Sequence, residues 1–257
     1  MNKGNPEEDK KKVKTLADLK GQPIRLNRFI AHAGIASRRE ADTLIKAGQI
    51  KVNGQVVTEL GTKVIAGEDK VYYRDQEIQP ESYIYLLFNK PKNTISTTKD
   101  PRGRKTIMEI IQPHISQRVF PVGRLDRNTT GLILLTNDGE LAKKLTHPSH
   151  QVRKLYHVTL NKEVPEDHLM QLLQGVELED GIAKADKIDY VSGANSNEVG
   201  IEIHIGKNRI VRRMFEHFGY QVTGLDRVAI GHLTKKNLPR GRWRELNRKE
   251  VDFLKMI

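Results

Sequence analysis

Apolar residues at Leu26, Phe29, Ile30 and Ala33 recur at helical spacing, and Gly34 stops the run, so a short helix is predicted there. Ser37-Arg38-Arg39-Glu40 then has the form of a capping box, in which the serine side chain accepts from the Glu40 backbone N–H while the glutamate reaches back. The helix it opens turns Ala41, Leu44 and Ile45 inward, and Gly48 closes it. Ile50-Lys51-Val52 and Gln55-Val56-Val57 flank Asn53-Gly54, a dipeptide suited to a tight hairpin turn because both positions take positive φ. Val71-Tyr72-Tyr73 adds a short strand. Further on, strand-like segments at Tyr83–Phe88, Leu132–Thr136, Leu155–Leu160 and Ile201–Ile205 alternate with helix-like ones at Leu141–Leu145, Glu166–Leu173 and Arg209–Phe218. In the last of these Val211, Met214, Phe215 and Phe218 form the inward face. The expected organisation is a disordered basic tail over 1–21, a small α+β domain over 22–74, a polar linker over 75–82 and a larger α+β domain over 83–257.

Composition narrows the partners. The 257 residues carry 44 Lys and Arg against 32 Asp and Glu, a net charge of +12 that is spread over tail, small domain and large domain alike. Such an excess points to a polyanion. In the small domain Arg25, Arg28, Arg38, Arg39, Lys46 and Lys51 fall on both helices and the adjoining strand, the distribution of an RNA-binding module; a solvated helix face is the alternative. The absence of cysteine excludes disulfides, thiolate zinc sites, iron–sulfur clusters and a cysteine nucleophile. The longest apolar run, Tyr83–Phe88, is far short of the ~20 residues that span a bilayer. The polar N-terminus lacks the apolar core of a signal peptide, so the expected compartment is the cytoplasm, with no membrane partner.

The densest candidate chemistry lies in Gly123-Arg124-Leu125-Asp126-Arg127-Asn128-Thr129-Thr130-Gly131, which runs straight into the apolar Leu132–Leu135. A carboxylate between Arg124 and Arg127 on a strand-anchored loop suits a nucleophile or an electrostatic stabiliser. It equally suits a turn in which Asp126 accepts backbone N–H bonds, and the residues alone leave both readings open. Tyr156 shares a strand face with Val158 and Leu160, as an ordinary core tyrosine would. His147, His150 and His157 fit no standard metal-ligand spacing, and no metal site is expected.

Gly123–Gly139 closely resembles the signature loop of the pseudouridine synthases, specifically the ribosomal RsuA/RluB type. Other segments agree in order and spacing. Asn89-Lys90-Pro91-Lys92 with Ser96-Thr97-Thr98 resembles the first motif of that family, Lys154–Val158 its tyrosine-bearing strand, and Gly206–Met214 its third motif. Leu238–Leu246 resembles its closing segment, and Ile24–Val57 is similar to the alpha-L RNA-binding domain. One departure is Ile210, where glutamine is usual; Arg212 two positions on is kept.

The resemblance implies a mainly antiparallel mixed sheet in the larger domain and isomerisation of uridine to pseudouridine in ribosomal RNA, 23S rather than small-subunit. It implies Asp126 acting at the ribose, Tyr156 packing on the base and Arg212 pairing with the aspartate. Arg124, Lys90, Arg209 and Arg213 are the expected substrate contacts, with holding the first motif in place as the alternative for Lys90, and Arg25, Arg28, Arg38, Arg39 and Lys51 are the expected RNA contacts of the alpha-L domain. No cofactor is implied. The expected partner is ribosomal RNA or a pre-ribosomal particle, bound by a monomer.

Overall fold

The computed structural model describes residues 21–257; the expected tail over 1–21 lies almost wholly outside them. The chain divides between Ile84 and Tyr85 into two compact units.

The first unit runs β1 (Pro23–Arg25), α1 (Leu26–His32), α2 (Arg38–Lys46), β2 (Ile50–Val52), β3 (Gln55–Val56), β4 (Lys63–Ile65), β5 (Val71–Tyr73) and β6 (Gln76–Ile78). Leu26, Phe29 and Ile30 of α1 meet Ala41 and Ile45 of α2 over Ile50 and Val71, which forms its core. The Ser37–Glu40 capping box is present in both directions. Asn53 and Gly54 take φ of 50° and 85° between β2 and β3, as the hairpin turn requires. The expected linker over 75–82 is corrected in part. Its residues 76–78 form β6, which pairs with β5 in the sheet ordered β3-β2-β5-β6. Ile78 is buried in the same core, so an apolar side chain and a free strand edge draw this polar stretch into the small unit.

The second unit runs β7 (Tyr85–Lys90), α3 (Met108–Ile111), β8 (Phe120–Val122), β9 (Thr130–Thr136), α4 (Gly139–Thr146), β10 (Lys154–Leu160), α5 (Glu166–Gln174), β11 (Val176–Leu178), β12 (Gly181–Ala183), β13 (Lys187–Tyr190), β14 (Glu198–Ile203), α6 (Ile210–Glu216), β15 (Val222–Ile230), β16 (Leu233–Thr234), β17 (Trp243–Glu245) and α7 (Arg248–Met256). Its main sheet has the order β13-β14-β10-β15-β9-β7-β17, with β8 and β16 added on β9 and β15. Every pairing in it is antiparallel except β15 on β9, so the mixed, mainly antiparallel α+β expectation holds. Val211, Met214 and Phe215 of α6 and Leu169 and Leu172 of α5 pack on Val158, Leu160, Val199 and Ile201 of the sheet.

The parallel contact is short: Asp226 opposite Thr130 and Arg227 opposite Gly131. Beyond it, the same strand β9 pairs with β8 from Leu134 to Thr136. Gly131, at φ +103°, is what lets β15 come this close, because a Cβ there would lie 2.2 Å from the Arg227 carbonyl oxygen and 2.5 Å from its nitrogen. Asp138 caps α4 by accepting from the Glu140 and Leu141 N–H groups. Among the described residues no helix is long and apolar enough to cross a membrane.

Candidate active site

The loop between Gly123 and Gly131 is held from below by the segment that follows β7. Ser96 Oγ accepts from the Leu125 N–H at 3.2 Å and donates to the Leu125 carbonyl at 3.0 Å. Lys90 is fully buried, and its ammonium donates to the carbonyls of Pro91 (3.1 Å), Arg127 (3.3 Å) and Thr129 (2.7 Å). Burial, opposed by the Asp126 charge and reinforced by Arg240 and Arg227, pushes this amine down to about 8. The expectation that Lys90 contacts substrate is therefore corrected: all three of its N–H groups are used inside the protein, and it reaches no solvent. It holds the loop that carries Asp126. Lys90→Met is expected to slow turnover roughly 10- to 100-fold, because three buried carbonyls lose their donor and the loop loosens. RNA affinity and its salt dependence should stay at wild-type values, which filter binding over a salt series checks.

So supported, the Asp126 carboxylate is 40% exposed and faces a cleft of about 670 Å³. Lys99, Arg104, Arg124, Arg127, Lys207 and Arg209 give this cleft a cationic lining against only Asp100 and Asp126, a field that draws in phosphates. A small recess of about 80 Å³ continues it between Asp126, Thr129 and Tyr156, with Ile210, Val211 and Leu225 as its apolar wall. Tyr156 is half-buried at the end of the strand face whose other members, Val158 and Leu160, are core. Its position at the rim of that core is what separates it from an ordinary core tyrosine.

Arg212 reaches the aspartate from α6. Its Nε lies 4.0 Å from Asp126 Oδ2, and Nη1 donates to the Val222 carbonyl at 2.8 Å. The Nε–H is buried and has no hydrogen-bond partner. Burial, with Arg209 nearby and Asp126 and Glu216 opposing, lowers the guanidinium from the ordinary arginine range. A buried donor this close to a carboxylate is set for a charge-assisted bond after a small movement of the loop. Ile210, the departure from the usual glutamine, is the buried first residue of α6 and belongs to the core.

The remaining expected contacts divide. Arg124 is exposed on the cleft. Arg209 lines it too, with its side chain on Glu216 at 3.0 Å. Arg213 is engaged elsewhere: it grips Asp180 of the β11–β12 turn through two bonds of 2.8 and 3.0 Å, so it ties a hairpin to α6. In the first unit Arg25, Arg38 and Arg39 are exposed and Arg28 is half-buried. Lys51 pairs with Asp75 at 2.6 Å. His157 pairs with Glu198 and His147 with Ser149, and among the described residues no three acidic or histidine side chains gather as metal ligands.

Sequence reasoning missed a second charged layer beneath the cleft. Asp226 receives both Nη groups of Arg240, at 2.7 and 3.2 Å, together with Lys235 and the Thr130 hydroxyl. Burial alone would raise this carboxyl; the hydrogen bonds from Arg240, Lys235 and Thr130 outweigh it and hold it at about 2. Arg240 also donates to the Asn89 side chain at 3.1 Å, and Asn89 donates in turn to the Leu238 carbonyl at 2.7 Å. The closing segment is thus sewn to the first motif. Arg227, the neighbour of Asp226, is buried under Tyr156. A signal for both was present: Leu225-Asp226-Arg227 repeats the Leu125-Asp126-Arg127 triplet.

Comparison with known proteins bears on this geometry. Residues 84–217 match the RNA pseudouridylate synthase family and residues 24–69 the S4 domain family. An RNA pseudouridine synthase of Aquifex aeolicus is 44% identical, covering 89% of this chain and 92% of that one. The ribosomal large subunit pseudouridine synthase B of Bacillus subtilis is 42% identical, covering 91% and 96%. A crystal structure of a pseudouridylate synthase superposes with a TM-score of 0.65 at 31% identity, over 90% of this chain and 99% of the other. A basic cleft opening on the Asp126 carboxylate, in a mainly antiparallel unit that follows an S4 domain along the chain, is therefore that of a member of the RNA pseudouridine synthase family, to which this chain belongs.

Proposed function

We propose that this enzyme converts one uridine of large-subunit ribosomal RNA to pseudouridine, with Asp126 as the catalytic carboxylate. The observation that carries the reading is that Arg212 and Tyr156, from two separate segments, gather around Asp126, which opens onto the cationic cleft. The 42% identity to the Bacillus subtilis synthase, named for the large ribosomal subunit, supports the choice of RNA.

In this reading the target nucleotide leaves its stack and enters the cleft, where Arg124, Arg209 and Lys207 face its phosphates. The base occupies the recess beside Tyr156 and the apolar wall. Asp126 acts at the ribose while the bond from uracil N1 to the anomeric carbon breaks. The base turns, carbon 5 bonds to the anomeric carbon, the carbon 5 proton leaves and N1 gains one, so the net change is an isomerisation. Arg212 closes on Asp126 and holds it oriented. The arginines of the S4 domain, Arg25, Arg28, Arg38 and Arg39, grip the RNA backbone and supply affinity rather than chemistry.

The test is carbodiimide mapping of pseudouridine in total ribosomal RNA from cells lacking the protein, complemented with wild type or with Asp126→Asn. One large-subunit stop should vanish on deletion and return only with wild type. An unchanged map overturns the reading.

A further inference from the structure

Arg227 is a buried side chain of the catalytic unit whose charge meets no carboxylate. It is only 6% exposed. Its Nε donates to the Leu132 carbonyl at 2.6 Å, on the stretch of β9 that lies between the β15 pairing at Gly131 and the β8 pairing at Leu134. One neutral donor would satisfy that carbonyl. The rest of the guanidinium meets no carboxylate: Nη1 lies 3.4 Å from the Tyr156 hydroxyl, Nη2 is buried without a partner, and the carbon of the group stands 6.0 Å from the centre of the Tyr156 ring. Asp226 does not serve it, because successive residues of a strand point to opposite faces and Asp226 is spent on Arg240 and Lys235.

A buried, uncompensated cation is costly. Here the cost is shared by the neighbours, since the Arg227 charge helps burial to hold both Lys90 and Lys154 down to about 8. The groups whose charges bear on this layer are Lys90 beside β9, Lys154 on β10, Arg240 and Asp126 above it, and Asp186 beyond Lys154. A fold that needed only the Leu132 contact could dispense with the charge.

We infer that Arg227 is the positioning residue for Tyr156: fixed by Leu132 at one end, it directs Nη1–H at the phenol oxygen and holds ring and hydroxyl in one orientation at the recess. The inference rests on the proposed part of Tyr156 in the isomerisation. It assigns Arg227 no contact with RNA. The cross-strand pairing of Tyr156 with Arg227 keeps the two in register, and the bulge between Leu155 and Tyr156 falls at this point of the ladder.

A double-mutant cycle tests it, read as single-turnover release of tritium from RNA carrying 5-tritiated uridine, with RNA affinity and thermal midpoint measured on each variant. Tyr156→Phe alone should slow turnover; if it runs at the wild-type rate, the hydroxyl has no part and the inference falls, while the function, tested by the pseudouridine map, stands. Given a slow Tyr156→Phe, Arg227→Gln should slow the wild type roughly 10- to 50-fold but the Tyr156→Phe enzyme less than about twofold, with RNA affinity unchanged. The same factor in both backgrounds, or a loss that appears in affinity instead of rate, overturns the inference while leaving the function standing. Should Arg227→Gln not fold, Arg227→Lys enters the same cycle under the same criteria, because its single ammonium can serve Leu132 or Tyr156 but not both.

Discussion

Asp126→Asn is expected to reduce pseudouridine formation by on the order of 10⁴-fold or more while leaving the fold and RNA binding in place. The size of the effect follows from replacing a charged oxygen by an amide at the reacting centre, which removes both nucleophilicity and the charge that Arg212 faces. The selectivity follows from the surroundings. The carboxylate is 40% exposed, and its nearest cation, Arg212 Nε, stands at 4.0 Å, outside hydrogen-bond range. Losing that contact should change stability by no more than about 0.5 kcal/mol. Single-turnover tritium release, filter binding and thermal melting together check the three parts. A variant with residual wild-type rates would remove Asp126 from its role, and one with equally weakened binding would make it an RNA contact.

Gly131→Ala should be the most damaging single methyl group in the catalytic unit. Two effects add there. At φ +103° any L side chain is strained, and the new carbon would sit 2.2 Å and 2.5 Å from backbone atoms of Arg227, which cannot swing aside as a side chain can. The only relief is to part β15 from β9, breaking the lone parallel pairing of the sheet. A cost of about 3 kcal/mol or more is expected, a fall of roughly 10 °C in melting temperature for a unit of this size. Gly219 supplies the control, with φ +72° but nothing within 4 Å of its missing Cβ. Gly219→Ala keeps the strain without the collision and should cost about 1–2 kcal/mol. Equal melting temperatures for the two variants would show that the collision contributes nothing. Gly131→Ala should also lose activity beyond its loss of stability, since parting β15 from β9 pulls Arg227 off the Leu132 carbonyl and carries it, with Tyr156 on the paired strand β10, away from the Asp126 loop.

Local rules made much of the small unit legible. The capping box at Ser37, the turn at Asn53-Gly54 and the helical spacing from Leu26 each depend on a few adjacent residues, and each is found as written. The failures have the opposite character. The segment around Gln76 reads as a linker because its residues are polar, yet pairing with Val71–Tyr73 makes it a strand, and no local pattern announces a partner. The nine-residue strand β15 sits near the centre of the large sheet and was missed for a related reason. Its Asp226-Arg227 pair interrupts the apolar alternation, and only contacts with Arg240, Leu132 and Tyr156, all distant in sequence, make that pair tolerable inside. In the site, residue types named groups that the fold does bring together around Asp126. They did not separate Lys90 and Arg213, which the fold consumes internally, from Arg124, which it leaves on the cleft. Burial decides that difference, and burial is a property of the assembled chain.

The stitch between Asn89 and Arg240 joins residues 151 positions apart. At synthesis rates of 5–20 residues per second, roughly 8–30 s separate the emergence of the two from the ribosome. Asp126 and Tyr156 emerge within that interval, Asp226 follows only 14 residues ahead of the Arg240 that balances it, and Asn89 waits for the Leu238 carbonyl almost to the end. The first strand of the catalytic sheet is therefore tied down only after the closing segment has been made, so this part of the sheet is assembled late however early its first strand appears.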